Sequence, residues 1–472
     1  MNTKASHFIK NFSYTLTSNL LSLVISLIVV LIVPKFIGKE AYGYWQVYLF
    51  YAGYIGFLHF GWNDGIYLRY GGKEYKQLNH QMFFSQYYML ALLQLIIAVA
   101  IVLFTTFFVT DPERRFIFYA LSLCILLVNT RFMLYYILQA TNRIQEYAKA
   151  MILDRTLYCI LIVLFLLLGS RNYKLMILSD LTGQAVSLFL AMFYCKEITL
   201  RKFSTFQFTF QETIANISSG IKLMLANIAS FLIVGTVRFG IERSWDVVTF
   251  GTVSLMLSIS NFMLLFINAL GIVLFPALRR TDSTKWASLY IGIRDILMAL
   301  LLGLLIFYYP LKTILLLWLP KYADGIAYIV LLFPIVLYEG KIALLINVYL
   351  KALREERAML KINVIMFVLS VFMTILTVLI CRNIYLAVLS ITILVALRAV
   401  AAEIYLAKRL LLSIRKDIIL ELMLTFIFIC SGWYIQSIWV VPVYLSAYII
   451  YLIIKQKNIR KSITSLKLLM KA

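Results

Sequence analysis

Seven charged positions fall inside stretches too apolar to be solvated loops: Arg131, Asp180, Lys222, the Arg294-Asp295 pair, Lys341 and Arg398. A charge at the centre of a bilayer costs about 2.5–3.5 kcal/mol on insertion scales, so each needs a cavity, a partner or a snorkelling route to water. Arg131 and Lys341 occupy related positions in an internal repeat, which points to a shared cavity suited to an anion. Lys222 and Arg398 extend that cationic set. Glu339, two residues from Lys341, reads either as its neutralising partner or as a protonatable coupling group, and Asp180 is the second candidate for ion coupling. For any one of these residues the alternative is a structural ion pair.

Polar stripes accompany the charges. Asn11, Thr15, Ser18, Ser22 and Ser26 recur at steps of three and four, which places them on one helical face, and Ser254, Ser258, Asn261 and Asn268 do the same. His59 leads along a third stripe to the corner Gly61-Trp-Asn-Asp-Gly-Ile-Tyr-Leu-Arg69, where Asn63, Asp64 and Arg69 crowd among glycines. That corner reads as a cytosolic mouth or as a plain solvated turn, with Asp64 as the local partner of Arg69. Small and hydroxylated residues also let helices approach closely, so packing and cavity lining both remain open for these stripes.

No phosphate loop, HExxH or GxSxG occurs, which leaves ATPase, zincin and serine-hydrolase readings without support. The five cysteines fall singly in apolar runs, with neither disulfide nor metal-ligand spacing, so no cofactor or metal is expected.

The elements that must position these side chains follow from composition. The 472 residues are 63% hydrophobic and 14% charged, with mean hydropathy +0.91, more apolar surface than a soluble core hides. The expected fold is all-α, a polytopic membrane protein. Cutting at polar clusters predicts fourteen spans, approximately 11–33, 44–62, 82–109, 116–138, 151–169, 175–195, 218–240, 247–270, 288–309, 325–350, 360–381, 384–406, 418–436 and 439–454. The net charge of +23 sits in short clusters between these runs rather than on one face, which argues for topology rather than nucleic acid. The excess of Lys and Arg in alternate loops puts both termini in the cytosol. The basic tail 455–472 then reads as an anchor on anionic lipid.

The stretch around 201–217 separates six spans from six, and sequence matches recur across it at an offset of about 211 residues. Leu68-Arg69 recurs as Leu278-Arg279, Leu138-x-Ala140 as Leu350-x-Ala352, and Arg171-Asn172 as Arg382-Asn383. The expected organisation is an N-lobe at 1–200, a cytosolic linker at 201–217, a C-lobe at 218–411, accessory spans at 412–454 and the tail. Two six-helix lobes repeated in parallel imply a cavity between them, which is transporter architecture.

The chain resembles the Wzx-type O-antigen flippases of the multidrug/oligosaccharidyl-lipid/polysaccharide (MOP) exporter superfamily. The resemblance rests on Lys10-Asn-Phe-Ser-Tyr14, the Gly61 to Arg69 corner, Leu138-Gln-Ala-Thr-Asn-Arg143, Leu274-Phe-Pro-Ala-Leu-Arg279 and Leu319-Pro-Lys-Tyr322. It implies a non-enzymatic flippase in the bacterial inner membrane that carries an undecaprenyl-diphosphate-linked oligosaccharide to the outer leaflet by alternating access. Its implied partners are that glycan, membrane lipids, a polysaccharide polymerase and chain-length proteins. Arg131, Lys341, Arg69, Arg279, Arg398 and Lys222 would then meet the diphosphate. The competing readings are a membrane-embedded polymerase or glycosyltransferase, for which the outer loops are short, and a drug or cation exporter, for which the buried charge has the wrong sign.

Overall fold

Hydrocarbon offers the backbone no hydrogen-bond partner, so runs of Leu, Ile, Val and Phe must satisfy their own amides as helices. The computed structural model describes residues 20–21, 24–280, 286–435, 437 and 439–471, with side chains described for all but 263, 265–280 and 463–471. Among the described residues there is no strand. The elements are α1 (Val24–Phe36), α2 (Lys39–Ile55), α3 (Trp62–Tyr70), α4 (His80–Phe108), α5 (Pro112–Ala140), α6 (Ile144–Leu167), α7 (Tyr173–Tyr194), α8 (Phe210–Ser244) and α9 (Val247–Arg280). They continue as α10 (Trp286–Trp318), α11 (Pro320–Leu332), α12 (Ile335–Ala352), α13 (Glu356–Ile380), α14 (Ile384–Arg409), α15 (Arg415–Tyr434) and α16 (Val440–Lys471).

Ten of the described helices are long and apolar enough to cross a membrane, or eleven if α11 and α12 form one bent span. Fourteen were expected. Part of the difference lies at α1 and α9, of which only the apolar stretches Val24–Phe36 and Val247–Phe262 fall within the described side chains, although the helix of α9 runs on to Arg280. The 40° bend between α11 and α12 falls at Pro334, which lacks the amide proton a continuous helix needs.

The repeat is visible in how related helices begin and end. Asn172 caps α7 by accepting from Lys174 N–H, and its repeat partner Asn383 caps α14 by accepting from Tyr385 and Leu386 N–H. α5 and α12 both terminate in a left-handed residue, Asn142 (φ 59°) and Arg354 (φ 58°). The same closing bond follows in each copy: Arg143 N–H donates to Leu138 O and Glu355 N–H to Leu350 O, both at 2.8 Å.

The chain divides into unit 1, Met1–Ile228 with Val247–Gly251, and unit 2, Ala229–Asp246 with Thr252–Ala472. The boundary lies inside α8 rather than in the stretch 201–217. That stretch is tied to the start of α4: Gln81 Nε2 donates to Thr205 O, Gln207 N–H to Ser85 Oγ and Gln86 Nε2 to Thr209 Oγ1. It is part of unit 1, not a free linker. The helices expected as accessory, α15 and α16, fold into unit 2, and α16 continues without a break to Lys471.

Candidate functional site

In unit 1, α5, α6 and α7 bring charge to the middle of the helix bundle. Arg131 Nη1 on α5 donates to Asp154 Oδ2 on α6 at 2.8 Å, with both side chains buried. Arg131 is therefore paired rather than presented free to an anion. On α7, Asp180 Oδ2 accepts from Tyr48 Oη at 2.8 Å and from Gln184 Nε2 at 2.6 Å. Its Oδ2 is thus occupied by two neutral donors.

The next residue on α6, Arg155, is different. Its Nε is 3.9 Å from Asp154 Oδ2, and its side chain is 40% exposed. At 1.5 Å per residue it stands about 16 Å along α6, far from either end. Lipid cannot solvate a guanidinium there without the insertion cost, which Asp154 at 3.9 Å offsets in part. Reading the span from residue 151 hid this; α6 begins at Ile144 and carries Arg155 to mid-span depth.

Unit 2 holds a larger ionic network. Arg294 donates through Nε to Glu403 and through Nη2 to Glu421, both at 2.6 Å, while Lys341 lies against Glu403 and 2.6 Å from Glu421 Oε2. Lys455 on α16 joins Asp295, 3.0 Å away, and Asp417. Tyr290 Oη donates to Glu403 at 3.1 Å. The expected Glu339–Lys341 pair does not form. Residues two apart sit about 200° apart round a helix, so Glu339 turns to Arg398 Nη1 at 3.2 Å, while Arg398 Nε donates to Asn363. Nor does Lys455 serve as a lipid anchor, because it is buried.

At the corner, Gly61 takes φ 82° and opens α3. A Cβ at Gly65 would stand 1.8 Å from Asn216 O, and one at Gly220 would stand 2.0 Å from Gly61 O, so α3 and α8 cross backbone against backbone. Arg69 pairs with Glu212, with Nη2 3.3 Å from Oε2, and also meets Asn216, not Asp64. Five residues of helix separate Asp64 and Arg69 by about 140°, which explains why they diverge. Tyr70 Oη donates to Glu212 at 2.6 Å. Asp64 instead lies 3.6 Å from His59 Nε2, and burial pushes its carboxyl up to about 6. Asn63 Nδ2 donates to Asn129 O at 3.0 Å.

The polar stripes are partly on the page. Asn11, Thr15, Ser18 and Ser22 lie outside the described residues, as do the side chains of Asn268 and Arg279. Ser26 is exposed on α1 and Lys222 on α8. Ser254 Oγ is buried and accepts from Arg238 Nη2, Ser258 donates to Ser254 O, and Asn261 Oδ1 is buried with no hydrogen-bond partner among the described residues. Among the described residues no group of His, Cys, Asp and Glu is placed to hold a metal ion.

A family model described as polysaccharide biosynthesis protein matches residues 8–282. The chain belongs to that family. No curated protein matches the sequence. Among solved structures, the lipid II flippase MurJ in an inward closed conformation aligns at TM-score 0.63 and 14% identity, over 96% of this chain and 100% of that one. An inward-facing multidrug resistance MATE transporter of the MOP superfamily aligns at 0.60 and 14%, over 83% and 98%. An outward-facing MATE transporter of that superfamily aligns at 0.53 and 16%, over 85% and 96%. This member of the polysaccharide biosynthesis family thus shares its fold with these multi-pass membrane proteins.

Proposed function

We propose that the protein is a flippase for a polyprenyl-diphosphate-linked oligosaccharide, carrying surface-polysaccharide repeat units of the O-antigen kind from the cytosolic to the outer leaflet of the bacterial cell membrane. Both termini are cytosolic in this reading. The observation that carries it is Arg155, whose side chain is 40% exposed near the middle of α6, in a chain of the polysaccharide biosynthesis family. A planar, permanently charged fork suits a diphosphate, and its weak hydration suits a site away from bulk water. The fold shared with a lipid II flippase supports a lipid-linked cargo.

Among the cations named from sequence, Arg131, Lys341 and Arg398 are committed to carboxylates and serve as scaffolding in this account. Arg69 is paired with Glu212 and the side chain of Arg279 lies outside the described residues, so among the described cations named from sequence Lys222, exposed on α8, is left to meet cargo, together with Arg155. Asp154 holds Arg131 and flanks Arg155, which fixes where the cargo-facing charge stands. Deleting the gene tests the reading: lipid-linked oligosaccharide should accumulate facing the cytosol. Normal surface polysaccharide with no accumulated intermediate would reject it.

A further inference from the structure

Residues 196–214 of unit 1 run from the end of α7 into the first turns of α8, and 196–209 of them lie outside the long apolar helices. Leu200, Phe203, Phe208, Phe210 and Ile214 are nevertheless each 61–69% exposed. Water-facing surface rarely carries so many large apolar groups in so short a run. They are not loose. The backbone between them is held by Gln81, Ser85 and Gln86 of α4, and Tyr88 Oη donates to Thr199 O at 3.0 Å. Phe203 lays one side on the rings of Phe84 and Tyr88, and Phe208 stacks on Phe210 at 5.5 Å. The outward faces are therefore presented on a fixed frame.

Three cations are interleaved with them. Lys196 and Lys202 are exposed, Arg201 is partly so with a buried Nε that has no partner, and among the described residues none of the three pairs with a carboxylate. The nearby Glu197 accepts from Tyr75 Oη instead. α8 has 35 residues, about 52 Å of helix against about 30 Å of hydrocarbon, which leaves enough length for its first turns to stand at headgroup level beside this segment.

We propose that residues 196–214 form an interfacial anchor specific for anionic bilayer phospholipid, with Leu200 and the phenylalanines in the upper acyl region and Lys196, Arg201 and Lys202 on headgroup phosphates. Aromatic rings favour that depth, and basic side chains favour anionic leaflets. The anchor is independent of the cargo. It acts beside the basic tail 455–472, to which the sequence pattern assigned such a role and of which, among the described residues, Lys455 alone is buried against carboxylates.

The full-length protein carrying Phe208→Trp, in nanodiscs free of polyprenyl lipids, tests this. The added emission is followed with brominated phosphatidylglycerol or brominated phosphatidylcholine at equal fractions. The anchor predicts at least about twofold stronger quenching by the anionic lipid, and equal quenching after the added triple change Lys196→Gln, Arg201→Gln, Lys202→Gln. No quenching by either lipid would place the segment in water and overturn the proposal. So would equal quenching before the triple change, or a preference that survives it.

Discussion

Lys341 Nζ lies 2.6 Å from Glu421 Oε2, joining α12 to α15 inside unit 2, with neither side chain more than 2% exposed. Glu421 also takes Arg294 through its other oxygen, and Glu403 accepts from the same two cations, so each charge is held by at least two partners. Removing one member strands another in low dielectric. Glu421→Ala is expected to cost about 3–5 kcal/mol, whereas Lys341→Met with Glu421→Leu, which removes both charges, is expected to cost less than Glu421→Ala alone. Melting of the purified protein in detergent checks the order.

The same reasoning separates the two arginines of unit 1. Arg131 is buried against Asp154, so Arg131→Ala leaves that buried carboxylate with only the longer contact to Arg155 at 3.9 Å and lowers membrane abundance. Arg131→Leu with Asp154→Leu should restore abundance in part. Immunoblots of membrane fractions distinguish these outcomes from a transport defect at normal abundance.

Asp64 gives a pH dependence. α3 lies outside the candidate spans, and burial raises the carboxyl from its ordinary 3.8 to about 6. Between those values the folded chain holds a proton on Asp64 that the unfolded chain releases, so the Asp64 contribution to stability falls as pH rises through that window. His59 beside it, lowered by burial from 6.5 to about 4, contributes in the opposite sense. Asp64→Asn removes the Asp64 contribution alone. The variant should match the parent near pH 4 and exceed it near pH 7.5 by up to about 3 kcal/mol, read as a higher melting midpoint.

Gly65 and Gly220 make the crossing of α3 on α8 possible, since a methyl at either would meet backbone atoms at 1.8–2.4 Å. Gly65→Ala and Gly220→Ala should each cost about 1–3 kcal/mol through forced separation of the helices. Gly53→Ala, where a Cβ meets nothing within 4 Å, is the matched control and should melt with the parent.

Much of the fold was legible in the sequence because hydrocarbon leaves the backbone one choice. The Arg-Asn match at 171–172 and 382–383 proved to be two helix caps, and the Leu-x-Ala matches proved to end in the same left-handed turn. Side-chain partners were far less legible. Lys341 was matched with Glu339 by proximity in the chain, but its partners Glu403 and Glu421 come from helices 60 to 80 residues on, and no local spacing reports that. A lone carboxylate inside an apolar run was the available signal, since Glu403 and Glu421 each interrupt one. Arg155 was overlooked for another reason. Helix starts are the least certain feature of an apolar pattern, and shifting α6 seven residues earlier turned a span-end arginine into a mid-span one.

Transport by Arg155→Ala is the most direct measurement. In cells lacking the native gene, the variant at normal membrane abundance should leave lipid-linked oligosaccharide facing the cytosol and reduce surface polysaccharide at least about tenfold, about 1.4 kcal/mol or more of lost cargo contact, with Arg155→Lys recovering part of it. Full surface polysaccharide from Arg155→Ala would contradict the account.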